Sequence, residues 1–290
     1  MSVVCAHKVT TLCFLCIAKG AFVILLYSAQ GLTFYKNNSL GMSMASGRHL
    51  FILSGQSNMQ RLKVGRSFTP LVTCALGGDD AVLVVKEAWG GQSIRRWCHN
   101  WQSAPGIAVP AQESHRRSGD LYDRLLQSVL TAISHASPPA AVVSVTLVWM
   151  QGEEDAQPHL APVYGKNLRL MLQRLKRDLL LAGQSDAVSK GLKLILGELN
   201  DYGLGLAIEP HWRQIQAQQQ ALVLELSGRL AEHLREDLAD SSVKDQHGPA
   251  ATLVVCRDLP LHEDGLHFTA EGYHLLGQRF AEAAVKMLKA

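Results

Sequence analysis

No long run of lysine and arginine interrupts this chain, and 28 basic against 25 acidic residues leave a formal charge of only +3. The electrostatic footprint of a nucleic-acid binder is therefore missing, and no nucleic-acid partner is expected. Cysteine is scarce. Three of the six (Cys5, Cys13, Cys16) lie in an apolar N-terminal stretch, and Cys74, Cys98 and Cys256 are far apart and form no C-x-x-C pair. That spacing argues against a zinc site or a disulfide framework, and isolated cysteines commonly serve as small buried apolar residues. The uncharged run from Gly20 to Tyr35 is short for a membrane span and contains Gln30 and two glycines. Internal repeats and low-complexity tracts are absent, and no Pro/Gly/Ser-rich linker divides the chain after residue 48.

What is present suits one sizeable α/β domain. The chain has 290 residues, 47% of them hydrophobic and 18% charged, enough to bury a substantial core. The N-terminus reads as a targeting segment. Lys8 precedes an apolar stretch from Val9 to Ile17, a second runs from Ala21 to Leu26, and Ala29 and Gly31 are small residues two apart, as a signal peptidase requires. Residues 1–31 are expected to be a signal peptide or an uncleaved anchor, and 32–47 a linker. The expected location is secreted or periplasmic, with membrane contact only through residues 9–35 if the segment is uncleaved. The alternative is a cytoplasmic protein whose true start lies at Met42 or Met44.

From residue 48 onward, short apolar runs alternate with helical periods. His49–Leu53, Ala81–Ala88, Ala141–Trp149, Leu192–Leu196 and Thr252–Cys256 are strand candidates, and such near-continuous runs suit strands buried on both faces of a parallel sheet. Leu121, Leu125, Val129 and Ile133 share one helical face, as do Leu168, Met171, Leu172, Leu175 and Leu179. Ile215–Leu226 and Ala270–Leu288 are further helices. Asp120 and Thr269 are the expected N-caps. The polar stretch Arg235–Pro249 reads as a surface loop. The alternation predicts βαβ units and a three-layer α/β/α sandwich with a parallel central sheet over residues 48–290.

Ligands of open α/β sheets bind beyond the carboxyl ends of the strands, and three of four polar motifs follow strands. Ser54-Gly55-Gln56-Ser57-Asn58-Met59 follows the first. A glycine there permits a sharp turn that projects the next hydroxyl into the crevice with its own N–H free to donate, the geometry of a nucleophilic serine; a polar turn closing a strand reads equally well on the hexapeptide alone. Trp89-Gly90-Gly91-Gln92-Ser93-Ile94-Arg95-Arg96-Trp97 follows the second, and paired glycines let backbone N–H groups approach a developing oxyanion. Trp149-Met150-Gln151-Gly152-Glu153-Glu154-Asp155 follows the third. Its Gln151 offers an amide donor, and Glu153 and Asp155 can orient loops by accepting backbone N–H bonds. A metal site there lacks a familiar ligand set, since His159 is the only histidine nearby. Asp264-Gly265-Leu266-His267-Phe268-Thr269 opens the last helix, with a base and a carboxylate three residues apart on one tight turn.

Taken in order, these segments resemble the carbohydrate-esterase branch of the SGNH hydrolases, the sialate O-acetylesterase-like (SASA) domain. That family shows G-Q-S-N-M at the nucleophile, a Gly-Gly turn often followed by Ser-Ile-Arg-Arg-Trp, W-x-Q-G-E-x-D after the third strand and D-G-x-H-x-x-x-x-G near the C-terminus. Here these are Gly55–Met59, Gly90–Trp97, Trp149–Asp155 and Asp264–Gly272, within a match over about residues 48–285. The resemblance implies a flavodoxin-like sheet and a mechanism without metal or cofactor. Ser57 would be the nucleophile, His267 the base and Asp264 its orienting acid. The oxyanion hole would be the Ser57 N–H, the Gly91 N–H and Gln151. Gln56, Asn58, Glu153, Arg95 and Trp97 would support substrate or loops. Glu154 stands where the family often has serine, and Glu263 competes with Asp264 for the third place in the triad. The implied activity is hydrolysis of small acyl esters, acetyl above all, on carbohydrates such as acetylated sialate or xylan. A lipase or thioesterase of the same fold and a non-catalytic glycan-binding relative are the alternatives; no apolar lid segment is evident outside the N-terminus. Arg95, Arg96, Trp89 and Trp97 would either face a glycan or simply pack and solvate.

Overall fold

The computed structural model describes the strand residues 12–17, 21–28 and 31–36, and residues 47–110, 117–136, 141–184, 187–188, 191–228 and 250–289. It divides into two compact units, residues 1–45 and 46–290. In the first, β1 (Leu12–Ile17), β2 (Ala21–Ser28) and β3 (Gly31–Lys36) pair antiparallel in the order β1-β2-β3. Lys8, Ala29 and the Arg235–Pro249 stretch lie outside the described residues. Among the described residues no helix is long and apolar enough to cross a membrane.

The second unit is built on β4 (Gly47–Gly55), β5 (Val82–Ala88), β6 (Ala141–Met150), β7 (Lys193–Gly197) and β8 (Ala251–Val254). All pair parallel in the order β5-β4-β6-β7-β8. Counted within the unit this is 2-1-3-4-5, the flavodoxin-like winding, whose order reverses beside its first strand. The strand sequences explain why both faces are covered. Successive side chains point to opposite faces, yet β4 is apolar at consecutive positions. Leu50 and Ile52 join one core with α4 (Asp120–Ser134), α5 (Tyr164–Leu181) and α6 (Glu209–Leu226). Phe51 and Leu53 join the other with the short α1 (Ser57–Arg61), α2 (Val64–Ser67), α3 (Thr69–Leu76) and the long α7 (Ala270–Lys289). Leu50, Phe51, Ile52 and Leu53 are all fully buried, and each such burial contributes roughly 1.5–3 kcal/mol over exposure. Phe51 meets Phe68 edge to face with ring centroids 5.4 Å apart.

The predicted strands all appear, each within two residues of its expected ends. Three local readings change. Asp120 is not the cap of α4; Gly119, at φ 79°, holds that position, and Asp120 instead accepts both Nε and Nη2 of Arg96 at 2.5 Å. The Arg96 guanidinium holds the Asp120 carboxyl below its usual range. Helix α6 starts at Glu209 rather than Ile215, because Pro210 falls in the first turn, where no N–H partner is lost. Helices α1–α3 had no counterpart in the periodicity, being too short to show one. Thr269 does cap α7, its hydroxyl accepting the Gly272 N–H at 3.1 Å.

Candidate active site

The site lies at the carboxyl ends of β4, β5, β6 and β8. Gly55 closes β4 at φ 139°, and a Cβ built on it would stand 1.9 Å from the Met150 carbonyl oxygen. Only glycine lets the two strand ends come this close, and the turn is then pinned by the Gln56 N–H donating to that same carbonyl at 2.9 Å. Ser57 follows as the first residue of α1, so its N–H has no acceptor within the helix.

The Ser57 hydroxyl lies 2.9 Å from Nε2 of His267. Nδ1 of His267 lies 2.7 Å from Asp264 Oδ2, while Oδ1 of the same carboxylate accepts the backbone N–H groups of Leu266 and His267 at 2.9 and 2.8 Å. One oxygen thus shapes the turn and the other orients the ring. With Nδ1–H donating to Asp264, Nε2 is left to accept the serine proton. The His267 bonds, from backbone and ring, hold the Asp264 carboxyl well below the usual carboxylate range. Glu263 makes no described bond to the imidazole; Asp264 does.

A second layer locks these loops together. Asn58 donates from Nδ2 to Glu153 Oε1 at 2.9 Å and to the Leu266 carbonyl at 3.3 Å, and accepts the Tyr273 hydroxyl at 3.0 Å. Asn200, beyond β7, donates to the same Leu266 carbonyl at 3.1 Å. The residue next to the nucleophile and a residue from the loop after β7 therefore grip the peptide next to the base. Asn200 is 2% exposed and was missed in the sequence, where Leu199-Asn200-Asp201 carries no spacing signal. Burial pushes the Glu153 carboxyl up from its ordinary value.

Gly90, rather than Gly91 alone, also proves important. A Cβ on Gly90 would lie 3.3 Å from Cβ of Ser57, and its N–H donates to Gln60 Oε1 at 3.0 Å. Gly91 follows at φ 62°, with open space where its Cβ would be.

Gln151 is placed differently from the expectation that it donates to an oxyanion. Its side chain is fully buried. Nε2 faces three acceptors: Gln92 O at 3.1 Å, Gln56 Oε1 at 3.3 Å and Asp155 Oδ2. Two hydrogens shared among three acceptors leave none for a substrate. Asp155, pushed up to about 8 by burial, also accepts the Ile94 N–H at 2.9 Å, so Gln151 and Asp155 together brace the loop that carries Gly90 and Gly91. Gln151→Leu strands those acceptors. Each buried unpaired group costs about 1–3 kcal/mol, so we expect a lowered melting temperature together with reduced kcat. A variant as stable as wild type would show that the brace is not needed.

Three other residues expected to support substrate or loops make contacts within the protein. Trp97 is 1% exposed and stands edge to face with Trp149 at 5.3 Å. Arg95 stacks over Trp101 at 4.8 Å and donates to Ser118 at 3.1 Å. Gln56 accepts from Gln151 and from the Glu154 N–H at 3.4 Å. Among the described residues no group of three or more His, Cys, Asp or Glu side chains is placed to hold a metal ion.

A parallel sheet wound in this order, with a serine, a histidine and an acid gathered at its strand ends, defines the SGNH-hydrolase class of α/β fold. Within that class the chain belongs to the carbohydrate esterase, sialic acid-specific acetylesterase (SASA) family, whose model matches residues 60–286, and it is an ester-hydrolysing enzyme. The match begins just after Ser57. A protein from Arabidopsis thaliana shares the fold at TM-score 0.52 and 18% identity, covering 83% of this chain and 98% of that one. A carbohydrate acetylesterase from Xanthomonas citri aligns at TM-score 0.49 and 15% identity, over 93% of this chain and 61% of that one. No curated protein sequence matches the chain.

Proposed function

We propose that this enzyme removes acetyl groups from carbohydrate esters by serine catalysis. The observation that carries the reading is the continuous Ser57–His267–Asp264 relay, at 2.9 and 2.7 Å. Ser57 Oγ attacks the acetyl carbonyl as His267 Nε2 takes its proton. The oxyanion forms against the Ser57 and Gly91 N–H groups, which need not reorganise as charge develops. The tetrahedral intermediate collapses, the C–O bond to the sugar breaks, and His267 returns the proton to the departing sugar oxygen. Water, deprotonated by His267, then attacks the acetyl-serine; the bond to Ser57 Oγ breaks, acetate leaves, and His267 returns the proton to Oγ. The family description supports the acetyl group. Acetylated sialate and xylan are the proposed substrates, and the apolar N-terminal stretch is proposed to target the enzyme for export.

The test is acetate release from a panel of O-acetylated sialate, acetylated xylan and other acetylated glycans, run with and without EDTA. Acetate release that is indifferent to the chelator is expected, since no step calls on a metal. Failure across the panel, alongside rapid hydrolysis of long-chain nitrophenyl esters, would overturn the reading in favour of a lipase. Activity lost in EDTA and restored by a divalent ion would overturn the metal-free mechanism.

A further inference from the structure

Of the four large side chains that flank the Gly-Gly turn, three are committed to the protein itself: Trp97 to the core, Arg96 to Asp120, Arg95 to Trp101 and Ser118. Trp89 is held as well, but keeps part of its surface open. Its backbone N–H donates to the Gly55 carbonyl at 3.0 Å, fixing it at the end of β5 beside the nucleophile turn. Its indole Nε1–H donates to Glu87 Oε1 at 2.8 Å, and the Arg124 guanidinium lies over the ring, 4.4 Å from its centroid. Glu87 is itself held, by Ser128 at 3.2 Å and Arg124 at 3.8 Å. The ring is thus clamped from α4, yet 37% of the residue remains exposed. The next residue, Gly90, packs against Ser57, and the space in front of Gly91 is open.

A rigid, partly exposed aromatic ring, backed on one face by a guanidinium and met at its N–H edge by a carboxylate, suits one kind of occupant. A pyranose presents an apolar C–H face to the ring and hydroxyls at its rim. A flexible acyl chain would instead need apolar walls, and the rim here is charged. Resting on the acetylesterase reading above, we propose that the exposed surface of Trp89 is the platform on which the pyranose ring bearing the acetyl ester stacks, with Glu87 at the ring edge meeting its hydroxyls. Trp89 thereby selects acetylated sugars over simple acetate esters.

The experiment compares wild type, Trp89→Ala and Trp89→Phe on an acetylated xylo-oligosaccharide and on methyl acetate, which is too small to reach the ring. Losing the stacking surface is expected to lower the ratio of kcat/KM for the glycan to that for methyl acetate about tenfold, mainly through KM. Phenylalanine, which keeps a flat face, is expected to restore most of the ratio; circular dichroism verifies folding, and the phenylalanine variant decides the matter if alanine does not fold. An unchanged ratio in a folded Trp89→Ala enzyme, or a fall in kcat alone on both substrates, overturns the platform and leaves the esterase reading intact. Wild type that cleaves methyl acetate but no acetylated glycan overturns the carbohydrate reading and the platform with it.

Discussion

Ser57→Ala is expected to lower kcat on an acetyl ester by about 10⁴-fold or more while the protein stays folded. The substitution removes one oxygen at the first position of a short helix, where its only described side-chain bond is the 2.9 Å contact to His267. The Gly55 turn, the Asn58 grip and the backbone donors survive it. His267→Ala is expected to cost about as much, and the double variant little more than either single one. Groups that act as a unit do not add, because once the relay is broken its remaining member has nothing to relay. Kinetics on all three variants, with circular dichroism for the fold, make the check. Near-wild-type turnover by a folded Ser57→Ala enzyme, or losses that simply multiply in the double variant, would refute the proposed chemistry.

Asp264→Asn tests the third member and distinguishes it from Glu263. Asparagine can still accept the Leu266 and His267 N–H groups through its oxygen, so the turn should hold. Its NH₂ would face His267 Nδ1 as a donor, where the carboxylate was an acceptor 2.7 Å away. The imidazole would then carry its proton on Nε2 and could not take one from Ser57. Inverting a tautomer in this way costs about 10⁴ in kcat in a Ser-His-Asp triad. Glu263→Gln should remain close to wild type. The carboxyl of Asp264 is held low, so it stays ionised in the acid range where an ordinary carboxyl begins to take up protons. The pH profile of the wild type should accordingly show no separate titration of this group between the usual carboxylate values and neutrality. A ranking with Glu263→Gln as the more damaged variant would move the triad's acid by one residue.

The strands were legible because buried parallel strands need apolar side chains on both faces, and the runs around Leu50–Leu53, Val145–Met150 and Leu194–Leu196 have them. The longer helices were legible from spacing: Leu168, Met171, Leu175 and Leu179 are all buried on one face of α5. Ser57, His267 and Asp264 stood out because each sits in a turn chemistry that strands and helices do not need. Helices α1–α3 were not legible, since pieces of 4–8 residues hold only one or two turns, too few for an apolar face to repeat. Gln151 illustrates a different shortfall. Its residue type fits both an oxyanion donor and a buried brace, and only the positions of Asp155, Gln92 and Gln56 decide between them.

By itself, then, the amino-acid order determined the parallel sandwich, the glycine-enforced turn before Ser57 and the tight Asp264–His267 turn, because these depend on periodicity and on bonds between residues a few places apart. Tertiary structure alone decided that Ser57 and His267, 210 positions apart, meet at 2.9 Å. It also decided that Asn58 and Asn200 share the Leu266 carbonyl, that Gln151 turns inward, and that Trp89 keeps an open surface while Trp97 does not. Those outcomes depend on which strand ends become neighbours and how closely they pack, and a one-dimensional pattern carries no distance between them.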